Sequence, residues 1–213
     1  MKFVKILDKK NHNESINLIN KSFPIIILRQ FADKTECKNI IDLSHNLAKK
    51  LPNRKKINGN MMSIDVLPMN VKTSRIFRTI YFNKQITKKK IFQKLKMFQE
   101  KHVIKKYKNI IRKFRSIHYP RGGGFFDWHK HPRYPNNYGM ILNLSSYKKD
   151  FNKGSNLFKI NKKIINIENL NICAGDLILF RYNIPHCVTP VDPEDNLIFD
   201  KKGRWTVILP IAY

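Results

Sequence analysis

The chain has 213 residues, of which 42 are Lys or Arg and 15 are Asp or Glu, giving a formal net charge of +27. Hydrophobic residues make up 42% of the sequence, which is enough to build one buried core at this length and excludes disorder of the whole chain. The apolar run at residues 23–28 is far too short for the roughly 20 residues of a membrane-spanning helix.

The N-terminus and the cysteines indicate a cellular compartment. Lys5 and Asp8 interrupt any apolar region of a signal peptide. The three cysteines, Cys37, Cys173 and Cys187, are odd in number and lack C-x-x-C spacing, which argues against a disulfide framework and a zinc ribbon. We therefore expect a cytoplasmic protein with reduced cysteines. The positive field attracts anions, although a compositional bias toward lysine explains the charge equally well.

The first half of the chain alternates predicted strands and helices. Residues 25–30 read as a buried strand, and residues 35–50 as a helix with one apolar face. Residues 75–82 read as a second strand, followed by a basic helix over about 87–107 whose lysines face solvent. These elements predict a helix-rich N-terminal part, 1–110, within a single domain, 1–213.

From about residue 112 the pattern changes to short β segments separated by turn residues. Seven such segments, within 113–119, 138–145, 156–161, 164–167, 175–181, 186–191 and 204–212, are typical of a sandwich or barrel. The predicted fold class is α+β: a double-stranded β-helix, the jelly-roll or cupin-like barrel, formed by 111–213 with N-terminal helices packed on its outside.

Three histidines of the second half are candidate metal ligands. His129 and His131 are two residues apart, so on an extended strand their imidazoles point to the same face. A jelly roll readily brings a later strand, such as that at His186, alongside them. Three converging imidazoles suit Fe(II), Zn(II), Ni(II) or Cu(II). An isolated H-x-H pair is also typical of surface histidines, so the pattern alone leaves both interpretations open.

A series of short motifs narrows this choice. In chain order they are HYP (118–120), GGG (122–124), HKH (129–131), ILNL (141–144), GSNLF (154–158), GDLILF (175–180), His186 and RWT (204–206). Their order and spacing resemble those of the Fe(II)/2-oxoglutarate-dependent oxygenases over most of the chain. The segment from 28 to 47 also resembles the usual start of that family, a strand followed by a helix on the outside of the barrel.

The chain departs from that family at one position, because His131 stands where the family has Asp or Glu. Three outcomes are open. His131 is the third ligand of a three-His site, which leaves Fe(II) one unit more positive than two histidines and a carboxylate do. Alternatively, Asp127 supplies the carboxylate, or metal binding is weakened and the protein is a non-catalytic relative. We favour His131.

The resemblance also assigns residues to the cosubstrate. Arg204 resembles the family's anchor for the distal carboxylate of 2-oxoglutarate, a role that suits the bidentate guanidinium. Thr206 lies two residues further along the same strand face. Tyr119 or Asn143 would complete the set of carboxylate-binding groups.

By the same resemblance, the protein would use Fe(II), O₂ and 2-oxoglutarate to hydroxylate a C–H bond. The expected catalytic set is His129, His131, His186 and Arg204. Substrate contacts would come from residues that are not generic to the family: Trp128, Arg78, Arg121 and the loop 132–137. We expect a small-molecule substrate, with an anionic one favoured by the charge, and the sequence does not determine oligomeric state.

Three other functions stay open. A three-His cupin-like oxygenase without 2-oxoglutarate fits the histidines equally well but gives Arg204 and Thr206 no role. A nucleic-acid modifier or binder is suggested by the net charge of +27 and by the lysine-rich helix, yet aromatic residues are not interleaved with the lysines as stacking platforms would be. A metal-free β-sandwich interaction protein is the third.

Overall fold

The computed structural model describes residues 2–67, 74–100, 114–131 and 138–208. Within these ranges the helices are α1 (Glu14–Asn20), α2 (Lys34–Lys50) and α3 (Lys90–Phe98). The strands are β1 (Val4–Leu7), β2 (Ile25–Leu28), β3 (Lys56–Ile57), β4 (Asn60–Leu67), β5 (Arg75–Tyr81), β6 (Arg115–Tyr119), β7 (Gly124–His129), β8 (Tyr138–Asn143), β9 (Asn156–Ile160), β10 (Lys163–Asn166), β11 (Leu177–Arg181), β12 (His186–Val191) and β13 (Arg204–Ile208).

The described strands form one curled sheet. Its order is β1-β2-β11-β8-β13-β6-β5-β7-β12-β9-β10, with β3 and β4 branching from β5. Strands β6, β13, β8 and β11 form one wall and β7, β12, β9 and β10 the other, and β5 pairs with both β6 and β7 to join the walls. This arrangement is a jelly roll, so the predicted fold class is confirmed.

The sequence explains why the N-terminal elements cover the barrel. All four residues of β2 are fully buried, because the strand lies between β1 and β11. Helix α2 begins where the Asp33 backbone N–H donates to the Glu36 carboxylate at 3.2 Å. Its residues Cys37 and Ile40 are buried in the same core, as the 3–4 residue spacing predicts.

Most predicted elements are found, with two differences. The basic helix α3 covers Lys90–Phe98, and the predicted continuation to 107 lies largely outside the described residues. The first half also contributes β1 to β5 and is thus less helical than expected, since the β4 segment mixes polar and apolar residues without a clear period. No described helix is long and apolar enough to cross a membrane.

Candidate metal centre

The sheet register brings the three histidines together. His129 ends β7 and His186 begins β12, and the two residues face each other in the antiparallel pair, which places their ring centroids 4.2 Å apart. His131 follows β7 and is fixed by its backbone N–H, which donates to the Tyr182 carbonyl at 2.9 Å. The possible ligand atoms of all three lie within 4.8 Å of one another.

Backbone carbonyls orient two of the rings. The Nδ1–H of His129 donates to the Asp127 carbonyl at 2.8 Å, and the Nδ1–H of His186 donates to the Ile184 carbonyl at 2.9 Å. A carbonyl only accepts, so both rings carry the proton on Nδ1. Their Nε2 atoms therefore keep a lone pair for a metal, the usual arrangement of a metal-ligating imidazole.

Burial keeps the three imidazoles neutral. It lowers the pKa of His129 to about 4 and that of His186 well below its usual value, an effect that the neighbouring His129 reinforces. The pKa of His131 is lowered by burial first and by the Arg115 guanidinium second. Because metal ligation requires unprotonated nitrogen, this donor set fits a divalent transition metal.

Asp127 is not part of this group. Within the described residues, the cluster of ligand atoms contains the three histidines and no carboxylate. The Asp127 Oδ1 instead accepts the backbone N–H of Trp128 at 2.7 Å. The geometry thus favours His131 over Asp127 as third ligand.

The histidines open into a cavity of about 320 Å³ inside the barrel. Apolar rings form much of its wall, and the Phe126 ring stacks on His129 with centroids 3.8 Å apart. Its polar lining includes Thr79, Tyr81, Tyr119, Asn156, Thr206 and two guanidinium groups, Arg75 and Arg115. The expected cosubstrate residues Tyr119 and Thr206 do line the cavity, and burial raises the pKa of the Tyr119 hydroxyl to about 12.

Arg204, the expected anchor for 2-oxoglutarate, does not line the cavity. Its side chain is 2% exposed and forms an ion pair with Glu168, itself 1% exposed. The guanidinium also donates to the Gly154 carbonyl at 3.1 Å and to Asn143 Oδ1 at 3.2 Å, and its carbon lies 5.4 Å from the centroid of the Phe151 ring. Neither Arg204 nor Asn143 lines the cavity, so the protein itself supplies the carboxylate that this arginine binds.

Two of the expected substrate residues hold a loop instead. Arg78 is buried and donates to the carbonyls of Phe199 at 3.1 Å and Asp200 at 3.2 Å. Arg121 pairs with the Asp200 carboxylate at 2.9 Å. Alternation along β5 explains the position of Arg78, because this even-numbered residue points away from the cavity that Arg75 lines. Arg78 and Arg121 thus anchor the loop 192–203 and do not line the cavity, and their substrate role stays a prediction.

The other two substrate expectations have different outcomes. Trp128 is 39% exposed and does not line the cavity, since it alternates with His129 along β7 and points outward. The loop 132–137 lies outside the described residues.

Sequence reasoning missed the two cavity arginines and Glu168. Arg115 lies four residues before Tyr119 on β6, and Arg75 lies on the opposite face of β5 from Arg78. Strict alternation from Tyr119 would have identified Arg115. Glu168 gives no such signal, because it lies in a short turn between β10 and β11.

Comparison with known proteins gives matches by structure only. No protein-family model matches the chain, and no curated protein matches its sequence. The solved structures that share its fold include a prolyl-4-hydroxylase from Pseudomonas putida, a 2OG-Fe(II) oxygenase family oxidoreductase from Burkholderia pseudomallei, and EvdO2 from Micromonospora carbonacea var. aurantiaca complexed with 2-oxoglutarate.

These similarities cover nearly the whole chain at low identity. The prolyl-4-hydroxylase has a TM-score of 0.63 and 11% identity over 93% of this chain and 97% of its own. The Burkholderia protein has a TM-score of 0.58 and 9% identity over 98% of this chain and 94% of its own. EvdO2 has a TM-score of 0.56 and 11% identity over 93% of this chain and 89% of its own. The chain therefore shares the jelly-roll fold of these solved structures.

Proposed function

We propose that the protein is an Fe(II)- and 2-oxoglutarate-dependent oxygenase that hydroxylates a C–H bond of a small anionic molecule. The observation that carries this proposal is the cluster of three neutral imidazoles, His186 buried and the other two half-buried, facing one cavity of a jelly-roll barrel. His129, His131 and His186 would hold the iron. The iron would supply the redox chemistry with O₂ and the binding site for the 2-oxo acid.

The charge of the cavity supports an anionic ligand. Three neutral imidazoles leave both positive charges of Fe(II) uncompensated, whereas a carboxylate ligand would cancel one. Arg75 and Arg115 add positive charge to the same cavity, and Asp65, which lies 3.7 Å from Arg75, offsets part of it. A dicarboxylate cosubstrate and an anionic substrate would balance what remains.

The chain's own residues position and shield the reacting groups. Phe126 and Phe180 line the cavity beside the histidines, where their rings exclude water and strengthen electrostatic interactions. The backbone carbonyls of Asp127 and Ile184 fix the tautomers of His129 and His186. The Tyr119 hydroxyl stays protonated near neutral pH and is a donor to a bound carboxylate.

One observation favours a second function, a three-His oxygenase that does not use 2-oxoglutarate. The Arg204 guanidinium, which the family resemblance assigns to the cosubstrate, is already paired with Glu168. An enzyme that binds its organic substrate directly at the iron needs no such anchor.

Succinate formation tests the proposed function. The purified protein is incubated in air with Fe(II), ascorbate, 2-oxoglutarate and a panel of small carboxylic and phosphorylated compounds. We expect succinate production that depends on iron and is lost in His186→Ala, because that variant lacks one ligand of the cluster. Iron-loaded protein that neither binds 2-oxoglutarate nor forms succinate would contradict the proposal and leave the second function in its place.

A further inference from the structure

Arg115 is a cavity arginine for which the described part of the chain offers no carboxylate partner. Arg115 begins β6 and lines the cavity together with Thr206 and Ile208 of the neighbouring strand β13. Among the described residues, no Asp or Glu forms an ion pair with it. Its Nε atom is buried and has no hydrogen-bond partner, as is also true of the Arg204 Nε. What distinguishes Arg115 from Arg204 is that no described carboxylate pairs with it, and such a guanidinium is suited to bind an anion.

The Tyr81 side chain contacts Arg115. The Arg115 Nη1 donates to the Tyr81 hydroxyl at 3.3 Å, and the guanidinium carbon lies 5.8 Å from the centroid of the Tyr81 ring. Tyr81 and Thr79 line the cavity from the adjacent strand β5. Tyr81 and Thr79 thus add hydroxyl groups to this side of the cavity, which suits the recognition of a carboxylate that enters from outside.

The other two arginines near the site already have partners. Arg75 lies 3.7 Å from Asp65, which lines the same cavity. Arg204 is paired with Glu168 behind the cavity wall, where both side chains are almost fully buried. Displacing Glu168 would leave a buried carboxylate without its cation, which is strongly unfavourable. Arg115 is thus the cavity arginine best placed to take a new carboxylate.

We propose that Arg115, and not Arg204, binds the distal carboxylate of the 2-oxo acid held at the metal centre. This inference rests on the proposed function. Glu168 then has the role of neutralising Arg204 from within the chain, and β6 replaces β13 as the strand that selects a dicarboxylate. The cosubstrate's distal carboxylate would contact the Arg115 guanidinium and the nearby hydroxyls.

Binding of two 2-oxo acids tests the inference without relying on turnover. Anaerobic calorimetry with the Fe(II)-loaded protein compares 2-oxoglutarate with 2-oxopentanoate, which keeps the metal-chelating end and lacks the distal carboxylate. We expect Arg115→Gln to lower the affinity for 2-oxoglutarate by about 10- to 100-fold, the contribution of a charge-assisted hydrogen bond. The affinity for 2-oxopentanoate should not change. Arg115→Lys keeps the positive charge but cannot bind a carboxylate in the bidentate way of a guanidinium, so it should lose less affinity for 2-oxoglutarate than Arg115→Gln does.

A control variant and three contrary results distinguish failure of the Arg115 assignment from failure of the proposed function. Arg181→Gln removes an arginine of β11 that does not line the cavity and should bind both acids like the unaltered protein. The inference is overturned if Arg115→Gln binds 2-oxoglutarate with the affinity of the unaltered protein, or if it lowers the affinity for both acids equally. Tighter 2-oxoglutarate binding by Glu168→Gln would assign the carboxylate to Arg204 instead. If the unaltered iron protein binds neither acid, the proposed function fails, and the inference fails with it.

Discussion

Replacing His131 by Ala is expected to lower the affinity of the protein for Fe(II) by more than about 100-fold, because loss of an outer partner of a ligand already costs about 10- to 100-fold. The possible ligand atoms of His131 lie within 4.8 Å of those of His129 and His186. The loss leaves two imidazoles, which do not hold iron against water and buffer. Anaerobic equilibrium dialysis with iron quantification measures the effect.

Two further variants make the His131 result specific. His131→Asp should retain iron, since a carboxylate oxygen is an established Fe(II) ligand in this position of a facial triad. His45→Ala removes another buried histidine, which lies on α2 outside the cluster, and should not change iron affinity. Unaltered iron binding by His131→Ala would contradict the three-His centre, and iron loss in Asp127→Asn would then assign the third ligand to Asp127.

The Arg204–Glu168 pair predicts a large effect on stability. Glu168→Gln is expected to lower the free energy of unfolding by about 3–5 kcal/mol, because it leaves a buried guanidinium without a compensating charge. The Glu168 carboxylate also accepts the Asn156 backbone N–H at 2.9 Å, a bond that the Gln carbonyl can still accept. Urea unfolding of the metal-free protein, followed by circular dichroism, measures the difference.

Matched variants separate burial from charge. Glu194→Gln breaks an exposed ion pair with Lys153 and should leave the unfolding midpoint unchanged, since exposed pairs contribute little. Replacing both buried partners, with Arg204→Met and Glu168→Leu together, should lower the free energy of unfolding by less than Glu168→Gln alone does. Full stability of Glu168→Gln would show that the pair is not an essential part of the core.

The histidine cluster was predictable because it depends on local geometry. The two-residue period predicted that His129 and His131 lie close together, and they do, although β7 ends at His129 and His131 follows it. A jelly roll places the strand of His186 beside His129. The strands of the second half were predictable for a related reason, since their apolar runs are short and separated by turn residues. The N-terminal strand β4 was missed because its pairing with β5 comes from tertiary context and not from its own pattern.

The contents of the cavity were less predictable. Arg204 and Glu168 are 36 residues apart, so nothing in the local sequence indicates that one neutralises the other. Arg78 was assigned to the substrate because its strand was recognised without the direction of each side chain. Along β5, successive side chains point to opposite faces of the sheet, so Arg75 faces the cavity and Arg78 faces the loop 192–203. Choosing the wrong face therefore selects the wrong arginine.

The most direct test of the three-His, 2-oxo-acid-binding centre is an anaerobic titration of the Fe(II)-loaded protein with 2-oxoglutarate in the visible region. We predict a charge-transfer band that saturates at one 2-oxoglutarate per iron and is absent in His129→Ala and His186→Ala. Protein that binds one Fe(II) through these histidines and develops no band at saturating 2-oxoglutarate would contradict the account.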